Sequence, residues 1–324
     1  MSILEDLETE APRIDAYLKK LIPTDKQSQA VCDPIWELLN RGGKRFRPVM
    51  CILSCESVGG KAQSAIHTAS IIELFHNFTL IHDDIEDDSE MRRGQPCIHK
   101  LYGIPITINS GDGLLLYTLR ALETTDSKIR AVLHNSFIQV LNGQGEELNW
   151  NMKKKQIVRE QDYLKMVSMK TGALISAACE TGGMLGRGTK KQTEALRAYG
   201  MAVGVAFQIQ DDILNLTGEE KLYKKEIGGD ITEGKRTLMT IHTLNNAPKA
   251  EAKELLAILN SNTQDKGEIS KVVGILSDNG SIDYAKEKAR SMVKSSEKNL
   301  NVLPDNKSTR KLIKLADFLI EREF

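Results

Sequence analysis

Residues 62–94, AQSAIHTASIIELFHNFTLIHDDIEDDSEMRRG, decide the fold class. From Ala62 to about Ile85 the stretch contains neither Pro nor Gly, the two strongest helix breakers, so the sequence predicts one long helix. Ala65, Ala69, Ile72, Phe75 and Thr79 follow three-to-four spacing, while Ile66, Ile71, Leu74, Phe78 and Ile81 put apolar groups on the other faces. A helix apolar nearly all round belongs inside a fold, covered by other helices. Upstream, Gly42 and Gly43 close one segment and Pro48 opens the next. Downstream, Ala-, Leu- and Met-rich stretches recur at about residues 105–124, 126–145, 161–181, 192–216 and 234–245, with Gly-containing breaks between several of them. From about Lys249 the pattern changes to shorter charged helices divided by Asp, Asn and Gly turns. No alternation is sustained enough to build a sheet, and no repeat of solenoid period is present. The expectation is an all-α protein, a single large helical bundle with residues 1–324 as one domain.

Composition narrows the function classes. The 324 residues carry 44 basic and 44 acidic side chains and are 40% hydrophobic and 27% charged, which describes an ordinary globular chain and excludes disorder. A net charge of zero argues against nucleic-acid binding through a bulk positive field. The opening MSILEDLETEAPRI is acidic where a signal peptide is basic, and no apolar run approaches the ~18 residues that span a bilayer, so a cytoplasmic location without membrane insertion is expected. Cys32, Cys51, Cys55, Cys97 and Cys179 are odd in number and form no CxxC pair, which supplies neither a disulfide framework nor a zinc site. Cys51 and Cys55 sit four apart in an apolar stretch and are read as core residues.

The buried helix ends in an expensive way. Asp83, Asp84, Glu86, Asp87 and Asp88 put five carboxylates into six residues. On a continuing helix Asp83 and Asp87 share a face, as do Asp84 and Asp88, and like charges so spaced cost about 0.2–0.5 kcal/mol per pair. An acidic run alone is commonly a solvated helix end. Carboxylates one turn apart also suit a hard cation, and Mg²⁺ in particular keeps waters and takes further ligands from substrate phosphates. An EF-hand is excluded, because Asp88 and Gly94 occupy the loop positions that require Gly and Glu. The pattern then recurs: in VAFQIQDDILNLTG, Asp211 and Asp212 again follow an apolar helical stretch, with Asn215 one turn beyond Asp211. Two such faces on two buried helices imply a metal-binding cleft. Cations accompany both, with Arg92 and Arg93 after the first pair and Lys224, Lys225, Lys235 and Arg236 after the second. Lys44, Arg45 and Arg47 in GGKRFRP form a third basic group, Gly-flanked at a helix start, which alone reads as a solvated helix start or a phosphate contact.

Taken in order, GGKRFRP, DDIED followed by RRG, the KTG element at Lys170, FQIQDDILN and GGDITEGKRTL resemble the trans-isoprenyl diphosphate synthases, or polyprenyl synthetases, strongly over about residues 28–245 and by general helical character beyond. The resemblance implies an all-α homodimer of isoprenoid synthase type, with a central cavity in which about three Mg²⁺ ions hold an allylic diphosphate. By position, Asp83, Asp84 and Asp87 match the first metal face and Asp211 and Asp212 the second. Arg92, Lys170, Lys225 and Lys235 match the allylic diphosphate contacts, and Lys44, Arg47, His76 and Arg93 the isopentenyl diphosphate pocket. Thr171 and Gln208 fall at positions near substrate. Asn215 departs from the pattern, standing where many members have Asp, but retains an oxygen that can act through water.

The residue types suit that reaction. Loss of diphosphate from an allylic carbon needs opposite charge against the leaving group rather than a protein nucleophile. Water must be kept from the resulting cation, which a helical bundle with an apolar interior can do. Product length is expected to turn on Phe78, five residues or about 7.5 Å before Asp83 along the helix, with Phe75 and Leu74 on the turn below. Core packing is the commoner fate of such aromatics. In the family an aromatic there followed by a small residue, here Thr79, is similar to synthases that stop at C20, which implies geranylgeranyl diphosphate. A farnesyl or somewhat longer product, a non-catalytic subunit and a terpene cyclase are the alternatives. Retention of the carboxylates disfavours the subunit, and GGKRFRP together with DDILN disfavours the cyclase.

Overall fold

A computed structural model describes residues 3–24, 28–152, 158–218 and 227–321. Helices dominate, and the strands among the described residues are a two-residue antiparallel pair, Met91–Arg92 (β1) with Gln95–Pro96 (β2). The expected all-α class is what the chain adopts. The chain divides into two compact units, one of Met1–Phe137, Leu174–Gly200 and Asn299–Leu315, the other of Ile138–Ala173, Met201–Lys298 and Ala316–Phe324.

The first unit opens with α1 (Ile3–Leu21), α2 (Gln29–Asn40), α3 (Phe46–Ser57) and α4 (Ala62–Glu86), the long helix expected from sequence. The hairpin, α5 (Ile98–Tyr102) and α6 (Ile104–Leu122) follow. Helix α4 packs against α1, α3 and α6, and Ile71, Ile72, Leu74 and Phe75 on it are wholly buried. Each such side chain stabilises the fold by about 1.5–3 kcal/mol relative to exposure. Its core also holds ions. Glu73, 2% exposed, accepts from Arg45 Nη1 at 2.8 Å and Asn77 Nδ2 at 2.9 Å. Such a pair is costly to desolvate and costlier to break, because removing one partner strands the other. All five cysteines are buried and outside any disulfide, among them Cys51 and Cys55, which the sequence reads as core residues.

Helix α7 (Ser127–Met152) begins in the first unit and ends in the second. Sequence places the end of this helical stretch near residue 145, yet the helix runs on through Gly143 and Gly145 to Met152. Gly143 is a packing glycine: a Cβ there would run into the Lys170 backbone. In the second unit α8 (Glu160–Val167) passes through a π-helical turn, Ser168–Gly172, into α9 (Ala173–Leu185), so the stretch expected as one helix carries a bulge at KTG. Helix α10 (Lys190–Thr217) carries the second Asp pair. Beyond lie α11 (Gly229–Thr232), α12 (Leu238–Asn246), α13 (Lys249–Ser261), α14 (Lys266–Asp278), α15 (Ser281–Glu297) and α16 (Lys307–Glu321). Thr237 caps α12 by accepting from Thr240 N, and Asp265 caps α14 by accepting from Glu268 N, so these helices start at sharp signals. No helix among the described residues is long and apolar enough to cross a membrane.

Candidate active site

In the first unit α4 delivers Asp83 and Asp84 in its last turn and stops at Glu86. Asp87 is its C-cap residue, and its N–H still donates to Asp83 O at 2.9 Å, which keeps Asp87 one turn beyond Asp83. The second expected pairing, Asp84 with Asp88, is not formed. Asp88 takes a left-handed φ of 48°, which turns it off the helix and into contact with Lys100 at 2.9 Å and His99 at 3.7 Å. The Lys100 contact, first of all, holds the Asp88 carboxyl below its usual range.

Asp83 and Asp84 differ sharply. Asp84 is 1% exposed and its Oδ1 accepts from Arg92 Nε at 2.7 Å and from Arg92 Nη2. Burial opposes the Arg92 charge, but Asp84 outweighs it and raises the guanidinium above its ordinary value. The Cys97 thiol beside this carboxylate is pushed up to about 12, chiefly by burial. Asp83 keeps part of its surface, with Oδ2 3.7 Å from Arg92 Nη2. The β1–β2 turn places Arg93, at a φ of 56°, behind them. Arg93 donates to Leu38 O and Asn77 Oδ1, both at 3.1 Å, and its guanidinium lies against Gly43, where a Cβ would come within 3.3 Å. Burial pulls Arg93 down to about 10.

The GGKRFRP cations part company. Lys44 is exposed. Arg45, which opens α3 at a φ of 44°, turns inward and donates to Asp15 Oδ1 at 2.9 Å, Glu73 and Leu39 O, so it braces the core and leaves the expected basic group. Arg47 Nη1 lies 3.2 Å from His76 Nε2. Since Arg only donates, that nitrogen accepts and the ring proton sits on Nδ1. Burial first, then Arg47, Arg93, Arg92 and Arg45, hold His76 well below the usual imidazole value. Neutral His76 can therefore donate through Nδ1.

The aromatic residues of α4 form a stack. His82 lies 4.9 Å from Phe78 and Phe78 lies 5.5 Å from Phe75, ring centre to ring centre. Phe75 lies flat on Phe137 of α7 at 3.7 Å and 7°. Leu74 is fully buried, and Thr79 donates its hydroxyl back to His76 O at 2.8 Å. Phe137 carried no signal in sequence beyond being an aromatic in an apolar stretch.

In the second unit the π-helical turn presents Lys170 and Thr171. Lys170 Nζ donates to Glu147 Oε2 of α7 at 2.5 Å. Thr171 donates to Gln208 Oε1 at 2.7 Å, and Gln208 Nε2 donates to Asp212 Oδ1 at 2.9 Å. Asp212 Oδ2 accepts from Tyr163 of α8 at 2.6 Å. Burial and then Asp230 push the Asp212 carboxyl well above its usual range, and the Tyr163 and Gln208 bonds pull it back. Asp211 is half-buried where Asp212 is buried. Asn215 Oδ1 accepts from Asp230 N at 3.0 Å, stapling the GGD turn to α10. Lys235 pairs with Glu233 and lies 3.6 Å from Asp230 Oδ1. Lys224 and Lys225 lie outside the described residues. Glu147 and Tyr163 carry no signal in sequence, the first because an isolated acid has no pattern and the second because its partner is 49 residues away, and Asp230, though it lies in the GGD element, gives no sign there of its effect on Asp212.

Each motif by itself has the chemistry of a hard-cation site: half-buried Asp83 and Asp87 in the first unit, and half-buried Asp211 in the second, offer oxygen alone, which Mg²⁺ prefers. Among the described residues no three His, Cys, Asp or Glu groups converge closely enough to hold an ion by themselves. Mg²⁺ sites commonly use one or two carboxylates and complete themselves with water and substrate phosphate.

An all-helical chain with two Asp-Asp motifs and buried arginines behind the first has the parts of a prenyltransferase. Comparison with known proteins places it further. Residues 28–276 match the polyprenyl synthetase family. The chain is 35% identical to the short chain isoprenyl diphosphate synthase of Methanothermobacter thermautotrophicus, covering 100% of this chain and 99% of that one. It is also 35% identical to the geranylfarnesyl diphosphate synthase of Natronomonas pharaonis, over 89% and 88%. The crystal structure of geranylgeranyl pyrophosphate synthetase from Pyrococcus horikoshii superposes with a TM-score of 0.91 at 35% identity, over 99% and 98%. The chain belongs to the polyprenyl synthetase family and is a trans-prenyltransferase.

Proposed function

We propose that this prenyltransferase condenses isopentenyl diphosphate with an allylic diphosphate, head to tail, and stops at the C20 product geranylgeranyl diphosphate, as a Mg²⁺-dependent cytoplasmic homodimer whose chain acts as one catalytic domain. The observation that carries the reading is the pair Asp83 and Asp87, one turn apart at the mouth of a buried helix, backed by Arg92 and Arg93. Exposed Ile104, Ile108 and Leu116 on α6 support a dimer.

Asp83, Asp87 and Asp211 would hold the divalent cations, which supply positive charge against the departing diphosphate. Asp84 and Asp212 would orient them from behind. Lys170 contributes a point charge from the π-helical turn, with Lys225 and Lys235 assigned beside it. As the allylic C–O bond breaks, the electron pair leaves with diphosphate and an allylic cation remains. The isopentenyl double bond attacks that cation, and the proton lost from the adduct goes to the released diphosphate. Lys44, Arg47, Arg93 and neutral His76 would hold the isopentenyl diphosphate group. Thr171 and Gln208 fix the wall between Lys170 and Asp212. Phe78 with Thr79, supported by Phe75 and Leu74, would end the space for the growing chain.

The test is incubation of pure protein with isopentenyl diphosphate, Mg²⁺ and allylic primers of three lengths, followed by product chromatography. A C20 product is expected. A C15 or C25 end product refutes the length assignment, and no condensation with any primer refutes the catalytic reading in favour of a regulatory subunit or a cyclase.

A further inference from the structure

Each aspartate of the second motif has a distinct neighbourhood, and that of Asp212 is complete. Its two carboxylate oxygens are taken by different donors, Gln208 Nε2 on Oδ1 at 2.9 Å and Tyr163 OH on Oδ2 at 2.6 Å. Gln208 is itself held by Thr171 at 2.7 Å. Tyr163 is 1% exposed and cannot rotate away without opening the core. Its helix is fixed at the start as well. Glu160, one turn earlier on α8, accepts from Tyr284 OH and from Lys288 Nζ of α15, both at 2.7 Å.

A short buried bond from a phenol to a carboxyl group is directional, and the outer partners of metal-ligating groups typically set their orientation. We propose that Tyr163 is a positioning residue for the second aspartate face: its hydroxyl fixes the Asp212 carboxylate, and through it the adjoining Asp211, in the orientation that receives the metal–diphosphate complex. This rests on the reading made above, in which Asp211 holds a divalent cation and Asp212 orients it from behind. It adds a residue that touches neither metal nor substrate and acts through Asp212 alone.

The test is Tyr163→Phe, which keeps the ring and removes one donor. Binding of Mn²⁺ in the presence of inorganic pyrophosphate is measured by the electron paramagnetic resonance of free Mn²⁺, with thermal melts as the check on folding. A fall of about 10–100-fold in Mn²⁺ affinity is expected, with the half-saturating Mg²⁺ concentration of any turnover rising in parallel. In an Asp212→Asn background, where the partner is already altered, Tyr163→Phe should change affinity less than about 2-fold. This cycle separates positioning from plain packing, which would be felt equally in both backgrounds. Wild-type affinity in a folded Tyr163→Phe protein overturns the proposal, and so does an undiminished effect in the Asp212→Asn background. A wild-type chain that binds no Mn²⁺ with pyrophosphate overturns the metal reading itself, and the proposal with it.

Discussion

The two Asp-Asp motifs have the same letters and opposite surroundings. On α4, buried Asp84 is neutralised by a guanidinium that grips one of its oxygens twice. On α10, buried Asp212 has neutral donors, Tyr163 and Gln208, and the carboxylate of Asp230 as its chief unfavourable charge. In each pair the first aspartate is the more accessible. One residue of each motif is therefore partly exposed while its neighbour is buried, and the buried one is held by an ion pair in one unit and by neutral hydrogen bonds in the other. A second contrast lies five residues upstream, where α4 has the bulky Phe78 and α10 the small Ala206.

The shared half of the comparison predicts the largest effects. Asp83→Ala and Asp211→Ala should each lower kcat by on the order of 10²–10³-fold, as loss of one well-placed electrostatic group does, with little change in thermal stability. Steady-state kinetics with melts checks this, and activity within a few-fold of wild type for either variant breaks the equivalence of the outward aspartates. The differing half is tested by stability. Arg92→Met strands a buried carboxylate and should cost about 3–5 kcal/mol, whereas Gln208→Met removes a neutral donor and should cost about 1–3 kcal/mol. Denaturant unfolding of the two variants measures both, and equal losses would erase the distinction between ionic and neutral anchors.

Much of this was legible in the sequence, and the failures have physical causes. The long helix was readable because 24 residues without a breaker leave little alternative, and the structure gives Ala62–Glu86. The link between Thr171 and Gln208 was anticipated only as two positions near substrate, and the structure joins them directly. Arg45 and Arg47 are two apart in one basic motif, but a left-handed φ at Arg45 turns it toward Asp15 and Glu73, partners that no local pattern reveals. Asp88 left the helix face for the same kind of reason. The stretch read as ending near residue 145 continues to Met152, and within it the Lys170 backbone approaches Gly143 too closely for any side chain. The Asn215 oxygen accepts from the Asp230 amide, a link 15 residues long that no local pattern reveals.

The aromatic contrast gives a sharper, qualitative prediction. Phe78→Ala should lengthen the product by at least one five-carbon unit, and Phe137→Ala, which removes the support beneath Phe75, should give a mixture of wild-type and longer products. Product chromatography of the two variants decides, and unchanged length in both removes the stack from that role. The smallest effect concerns His76. Its folded pKa is held well below the unfolded value of about 6.5, so the unfolded chain takes up the proton first and stability falls as pH drops below about 6.5. His76→Gln cannot take up that proton, and its melting temperature should fall less between pH 7.5 and 5.5, by roughly 2–4 °C per kcal/mol recovered. Identical acid limbs would mean that His76 is not held neutral.

The most direct measurement is a crystal structure with Mg²⁺ and a non-reactive allylic diphosphate. Asp83, Asp87 and Asp211 are predicted to reach ions on one and the same diphosphate, with Asp84 still on Arg92 and Asp212 still on Tyr163. Diphosphate bound elsewhere, or Asp83 and Asp211 opening onto separate regions of solvent, would contradict the account.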